Sequence, residues 1–145
     1  MSAEENKAVV RRMLDELFNK GNLDFAAEII APDFVEHDPN MPEELHGPEE
    51  FKGYVATYRS AFSDIHIAVE DQVAEGDKVA TRWMGTGTHD GELMGMAPTG
   101  RPVRVAGMDV SRITGGKIAE SWSSYDMMGM MQQLGAIPAP EEAQA

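Results

Sequence analysis

The sequence predicts an α+β domain, with helices packed on one face of an antiparallel sheet. Three observations predict it. Apolar residues recur at three- and four-residue steps in the first part of the chain. From residue 65 the period changes to two. Turn sequences rich in glycine then separate the alternating runs.

The first helix carries Val9, Val10, Met13, Leu14, Leu17 and Phe18 on one face, with Arg11, Arg12, Asp15 and Glu16 on the other. Gly21 suits its C-terminal cap. Asn22 or Asp24 can cap a second short helix with Leu23, Phe25, Ile29 and Ile30, which Pro32 should end. Residues 33–46 read as a short extended piece followed by a loop, because Pro39 and Pro42 disfavour helix there. Gly47-Pro48 opens a third helix, with an apolar stripe of Phe51, Tyr54, Val55, Tyr58 and Phe62.

Ile65, Ile67 and Val69 begin the alternation of the first hairpin strand. Residues 79–89, 102–113 and 118–125 read as three further strands. Turns at Glu75-Gly76-Asp77-Lys78 and Thr114-Gly115-Gly116-Lys117, and a wide loop at 91–101, connect them. Residues 126–134 suit a short helix. A sheet of long strands closed by helices leaves a cleft between the layers, a natural small-molecule site.

A chain of 145 residues with 42% hydrophobic and 26% charged residues fits one domain, expected over 1–135 with a flexible tail at 136–145. Cysteine is absent, which removes disulfides, thiol nucleophiles and thiolate metal sites. The 25 acidic and 12 basic residues give a net charge of −13, so nucleic acid and anionic membrane surfaces are not expected partners. No apolar run is long enough for a membrane span, and the N-terminus lacks a signal-peptide core. A cytoplasmic location is expected.

Four titratable residues stand out. Asp109 shares strand parity with Val103, Val105 and Ile113, though both faces of that strand carry apolar residues and parity alone leaves its side open. If buried, its raised pKa would let it donate to a developing oxyanion. His37 and Asp38 stand where an extended piece meets a loop, as a base near neutral pH or as an ordinary Asp-Pro turn. His89 ends a strand, either to orient a carbonyl or to fill a structural role. No His-x-His or HExxH spacing supports a metal site, and neither a phosphate loop nor a nucleophile elbow occurs. Metal and cofactor are therefore not expected. Trp83, Trp122, Tyr54, Tyr58, Tyr125 and Met108 suit either a pocket wall or the core.

The phrases PDFVEHDP, HGPEEF, AFSDI, VAEGDKVATRW, THDGELMGMAPTGR and GGKIAESW together resemble the SnoaL-like polyketide cyclase (ester cyclase) family, of the nuclear-transport-factor-2-like (NTF2-like) superfamily. The resemblance covers roughly residues 5–135. It implies a conical barrel of curved antiparallel sheet with three N-terminal helices around a deep apolar pocket, in a homodimer. The family's cyclases carry His-Trp-Asp at the end of the last long strand, with that Asp as general acid/base; here the run is Ser121-Trp122-Ser123. His89 matches a family histidine on the preceding strand. Against ketosteroid isomerases of the same superfamily, Val35-Glu36-His37-Asp38-Pro39 is similar to the phrase carrying the base, and Asp109-Val110-Ser111-Arg112-Ile113 to the strand carrying the oxyanion-hole acid. The resemblance thus adds Ser123 and Asp126 to the candidate substrate contacts. It implies a cofactor-independent acid/base enzyme for an apolar carbonyl-containing small molecule, of cyclase or isomerase type. The alternative is a non-catalytic binding module on the same fold. Several titratable groups converging on the pocket would favour the enzyme.

Overall fold

The computed structural model describes residues 2–138; the rest of the expected tail lies outside the described residues. Helix α1, Ala3–Met13, starts at a capping box: Glu5 N donates to Ser2 Oγ at 3.1 Å, and Ser2 N donates to Glu5 Oε1 at 3.0 Å. It continues as a π-helical turn over Leu14–Asn19, where Lys20 N reaches Asp15 O at 2.9 Å. A 3₁₀ turn, Leu23–Phe25, leads into the single-turn α2, Ala26–Ile29.

Strand β1, Ile30–His37, begins two residues before Pro32, so the proline lies in the strand rather than beyond a helix. The two-residue β2, Leu45–His46, precedes α3, Gly47–Ala61, which has its proline in the first turn. The hairpin strands follow: β3, His66–Glu75; β4, Lys78–Thr88; β5, Pro102–Thr114; and β6, Lys117–Tyr125. Helix α4, Met127–Leu134, ends at Gly135 in the left-handed conformation.

The six strands form one sheet in the order β2-β1-β6-β5-β4-β3. Its pairs are antiparallel except β1 with β6, which is parallel. That pairing departs from the all-antiparallel expectation. It also has the main functional consequence, since it sets Glu36 beside Ser121 and His37 beside Trp122. The sheet stays open, with β2 and β3 as its edges, and the helices cover its concave side.

Odd-numbered residues of β5 face that side. Val103 and Val105 are buried, whereas Met108 is 54% exposed on the convex face. The main core joins Val10, Leu17, Phe34, Phe51, Val55 and Ile118. A second cluster under α4 joins Phe62, Leu93, Val103, Val105, Met130 and Leu134.

One glycine locks the wide loop to α3. A Cβ on Gly91 would lie 1.9 Å from the Ser60 carbonyl oxygen, while Gly91 N donates to Ala61 O at 3.0 Å. Both partners are backbone and cannot rotate away. Gly91→Ala should therefore destabilise the fold by about 1–3 kcal/mol, read as a lower midpoint in thermal unfolding. An unchanged midpoint would show that this contact is looser than drawn.

Candidate functional site

The sheet and helices flank a partly open hollow. Its wall is mostly apolar: Met13, Leu14 and Phe18 from the first helix and its π turn, Phe51 from α3, and Val103 and Val105 from β5. Such a surface takes a hydrophobic molecule and keeps water out. Against it stand a few polar groups: Glu36, Asp109, Ser121, Ser123, Tyr54, Tyr58, Tyr125 and the Trp83 indole.

The strands place these groups by register. Asp109 faces Thr81 across the β4–β5 ladder and Ser123 across the β5–β6 ladder. Trp83 pairs with Gly107, whose missing side chain gives the indole its room: a Cβ there would lie 2.2 Å from the Trp83 ring. Glu36 arrives from β1, and the Ser123 hydroxyl donates to its Oε1.

Glu36 is 3% exposed, and its Oε2 has no hydrogen-bond partner among the described residues. Burial disfavours the carboxylate, and the nearby Asp109 charge adds to this, so the Glu36 pKa rises to about 8. Burial likewise lifts Asp109 to about 6. The Trp83 N–H and Ser123 hydroxyl beside Asp109 oppose part of that rise. Even so, Asp109 Oδ1 and Trp83 Nε1 both remain buried without a bond of full geometry. The three unpartnered atoms belong to residues that line one apolar hollow. Buried polar atoms are normally paired, so a polar part of a ligand is the natural complement.

On the wall of the same hollow, Tyr58 Oη and Tyr125 Oη lie 2.7 Å apart. Burial raises the pKa of Tyr54, Tyr58 and Tyr125, which keeps their hydroxyls protonated as hydrogen-bond donors. One proton serves the Tyr58–Tyr125 bond and the other is left to donate elsewhere.

Of the residues singled out from the sequence, Asp109, Ser123, Trp83, Tyr54, Tyr58 and Tyr125 line this hollow. Asp38 is buried just beyond it. Its Oδ1 accepts from Asn40 N at 2.8 Å, its Oδ2 has no partner among the described residues, and burial raises its pKa. It lines a shallow outer depression that shares Ser123 with the hollow.

The structure places five other candidates elsewhere. His37 projects to the outer side of β1, because the strand alternation that buries Phe34 and Glu36 turns it outward. There its Nδ1 is 2.5 Å from Glu44 Oε2 and its Nε2 is 2.7 Å from Glu120 Oε2. Its pKa is raised, first by the Glu120 hydrogen bond and then by Glu44. Trp122, 39% exposed, stacks beneath that imidazole at 5.4 Å. Met108 lies on the same convex face of the sheet. Asp126 caps α4 by accepting from Gly129 N at 2.9 Å. His89 is fully buried, its ring 5.5 Å from Phe62 and its Nδ1 accepting from Thr99 N at 3.2 Å. It pins the base of the wide loop. Among the described residues, no three His, Asp or Glu side chains converge to hold a metal ion.

His37→Gln therefore should leave the pH profile of turnover unchanged and loosen the 38–46 loop, read as faster amide exchange there. A shifted pH profile would return His37 to the chemistry.

Glu36 and Ser121 line the hollow without standing out as site residues in the sequence. Strand parity is the available signal for Glu36. It shares a face with Phe34, one residue before the more conspicuous His37-Asp38 pair.

The sequence model of the SnoaL-like polyketide cyclase family matches residues 8–134. The chain belongs to that family. This cyclase-family chain is 36% identical over 140 residues to aklanonic acid methyl ester cyclase DnrD of Streptomyces peucetius, covering 92% of this chain and 93% of the relative. It is 32% identical over 127 residues to nogalonic acid methyl ester cyclase of Streptomyces nogalater, covering 86% and 93%. Among solved structures, TsrD of Streptomyces laurentii superposes with a TM-score of 0.83 at 26% identity, over 94% of this chain and 99% of that one. The neighbours include a chain with a ketosteroid isomerase-like fold, and the fold is NTF2-like. Family membership supports a cyclase role. No helix among the described residues is long and apolar enough to cross a membrane.

Proposed function

We propose that this protein is a cofactor-independent acid/base cyclase that closes a ring in an apolar, carbonyl-containing molecule of the polyketide methyl ester class. One observation carries the reading. Two buried carboxyls with pKa values pushed apart, Asp109 near 6 and Glu36 near 8, line one apolar hollow, with Ser123 bonded to Glu36 and paired with Asp109 across the β5–β6 ladder.

At neutral pH Asp109 is mostly ionised and Glu36 mostly protonated. Asp109 takes a proton from the carbon next to a carbonyl. The resulting enolate carbon attacks a second carbonyl of the same molecule and forms the new carbon–carbon bond. Glu36 delivers its proton to the oxygen of the attacked carbonyl. One proton leaves carbon and one arrives on oxygen, so the product is an isomer of the substrate. The free hydroxyl proton of the Tyr58–Tyr125 pair donates to the enolate oxygen as charge builds there. The apolar wall excludes water and strengthens each of these interactions.

The convergence of two carboxyls and the tyrosine pair favours this enzyme over a binding module, for which one polar group would suffice. Ser123 at the family's acid position then signals relocation of the acid to Glu36 rather than its loss.

The test is incubation with aklanonic acid methyl ester, the substrate class in the names of the relatives, after dialysis against a chelator. The expected result is a ring-closed product of unchanged mass. No product, or product only with an added cofactor, overturns the proposal.

A further inference from the structure

We propose that the Ser123 hydroxyl is a proton relay between Asp109 and Glu36, resetting the pair after each turnover. The inference rests on the acid/base reading above and extends it.

The chemistry leaves the pair inverted. After ring closure Asp109 carries the proton taken from carbon, and Glu36 is ionised. A second cycle needs that proton moved from Asp109 to Glu36. Glu36 is 3% exposed and Asp109 lines the same mostly apolar hollow, so bound product limits the access of water to either carboxyl. Ser123 sits between the two carboxyls. It is the β5–β6 partner of Asp109, and its hydroxyl already donates to Glu36 Oε1. The remaining oxygens on either side, Asp109 Oδ1 and Glu36 Oε2, have no partner among the described residues that would compete for the proton.

The transfer balances. The Asp109 O–H proton passes to Ser123 Oγ as the Ser123 O–H proton passes to Glu36 Oε1. The serine ends neutral, Asp109 is again a carboxylate, and Glu36 is again an acid. Strand β6 lies between β1 and β5, so Ser123 stands between the strand of Glu36 and the strand of Asp109.

Rapid mixing with excess aklanonic acid methyl ester separates this step from the chemistry. At a pH where Asp109 stays ionised, Ser123→Ala should turn over in the steady state about tenfold or more slowly than in its own first turnover. Ser123→Thr, which keeps a hydroxyl, should recover most of the steady rate. A small acid such as formate should speed Ser123→Ala but not the wild type. First and later turnovers slowed equally, or neither slowed, overturns the relay.

A substrate-free titration of the labelled carboxyls by carbon-13 NMR gives a second readout. Ser123→Ala should raise the midpoints of both Asp109 and Glu36, and an unmoved Asp109 midpoint overturns the relay. Failure of the acid/base reading itself shows differently: Asp109→Asn would then keep its first turnover.

Discussion

Asp109→Asn should lower kcat by about 10²–10⁴, the range that a positioned general base contributes. The amide keeps the size of the side chain and cannot take the proton. KM changes less, since the wall contacts of Met13, Leu14, Phe18 and Phe51 persist. The acid limb of the pH–rate profile, which reports ionisation of Asp109 near 6, disappears with the base.

Stability moves the other way, and the sign follows from linkage. The folded value near 6 exceeds the ordinary 3.8, so the folded state binds more protons than the unfolded state between these two values. Stability therefore falls as pH rises through that window. Asp109→Asn removes the dependence, and its thermal midpoint should fall less than that of wild type across it. A variant that is inactive because it is unfolded would fail this check. Retained activity with a normal acid limb would show that another group is the base.

Glu36→Gln has the second largest effect. It removes the proton donor and should lower kcat/KM by about 10²–10⁴. In the wild type the rate declines above about 8, as Glu36 ionises. In the variant that alkaline limb is absent and the acid limb stays near 6. The same linkage applies over a wider window, from the ordinary 4.5 to about 8. Across it wild-type stability falls, and Glu36→Gln should flatten the fall, with its largest advantage at the alkaline end. A burial this costly to a carboxylate is hard to rationalise as structure, because a glutamine or leucine would be retained more easily there. An unchanged alkaline limb in Glu36→Gln would place that titration on another group.

The three-helix start, the hairpin run and the α4 segment are legible from periodicity and turn chemistry, since both are local. The parallel β1–β6 pairing is not. It joins residues more than eighty positions apart, and Pro32 reads locally as a helix stop rather than as a strand residue. Asp109 is legible through the resemblance of its strand to the one carrying an oxyanion-hole acid; parity left its side open until the fold buried Val103 and Val105 on the same face.

Three of the five candidates placed outside the hollow share one cause. His37, Trp122 and Met108 stand out by residue type, and each sits on the strand face opposite the hollow. A one-residue shift in a strand reverses the face, so chemistry read without a fixed register selects the wrong neighbour. His89 and Asp126 stand out as polar groups near strand ends, and their roles are to anchor a loop and to cap a helix.

A structure of the Asp109→Asn variant with aklanonic acid methyl ester bound tests the central claim most directly. The account predicts the ester inside the hollow, with the carbon that loses its proton against the amide at position 109 and the attacked carbonyl oxygen against Glu36. An ester seated with its reacting atoms away from both side chains, or lying on the convex face near Trp122, would contradict it.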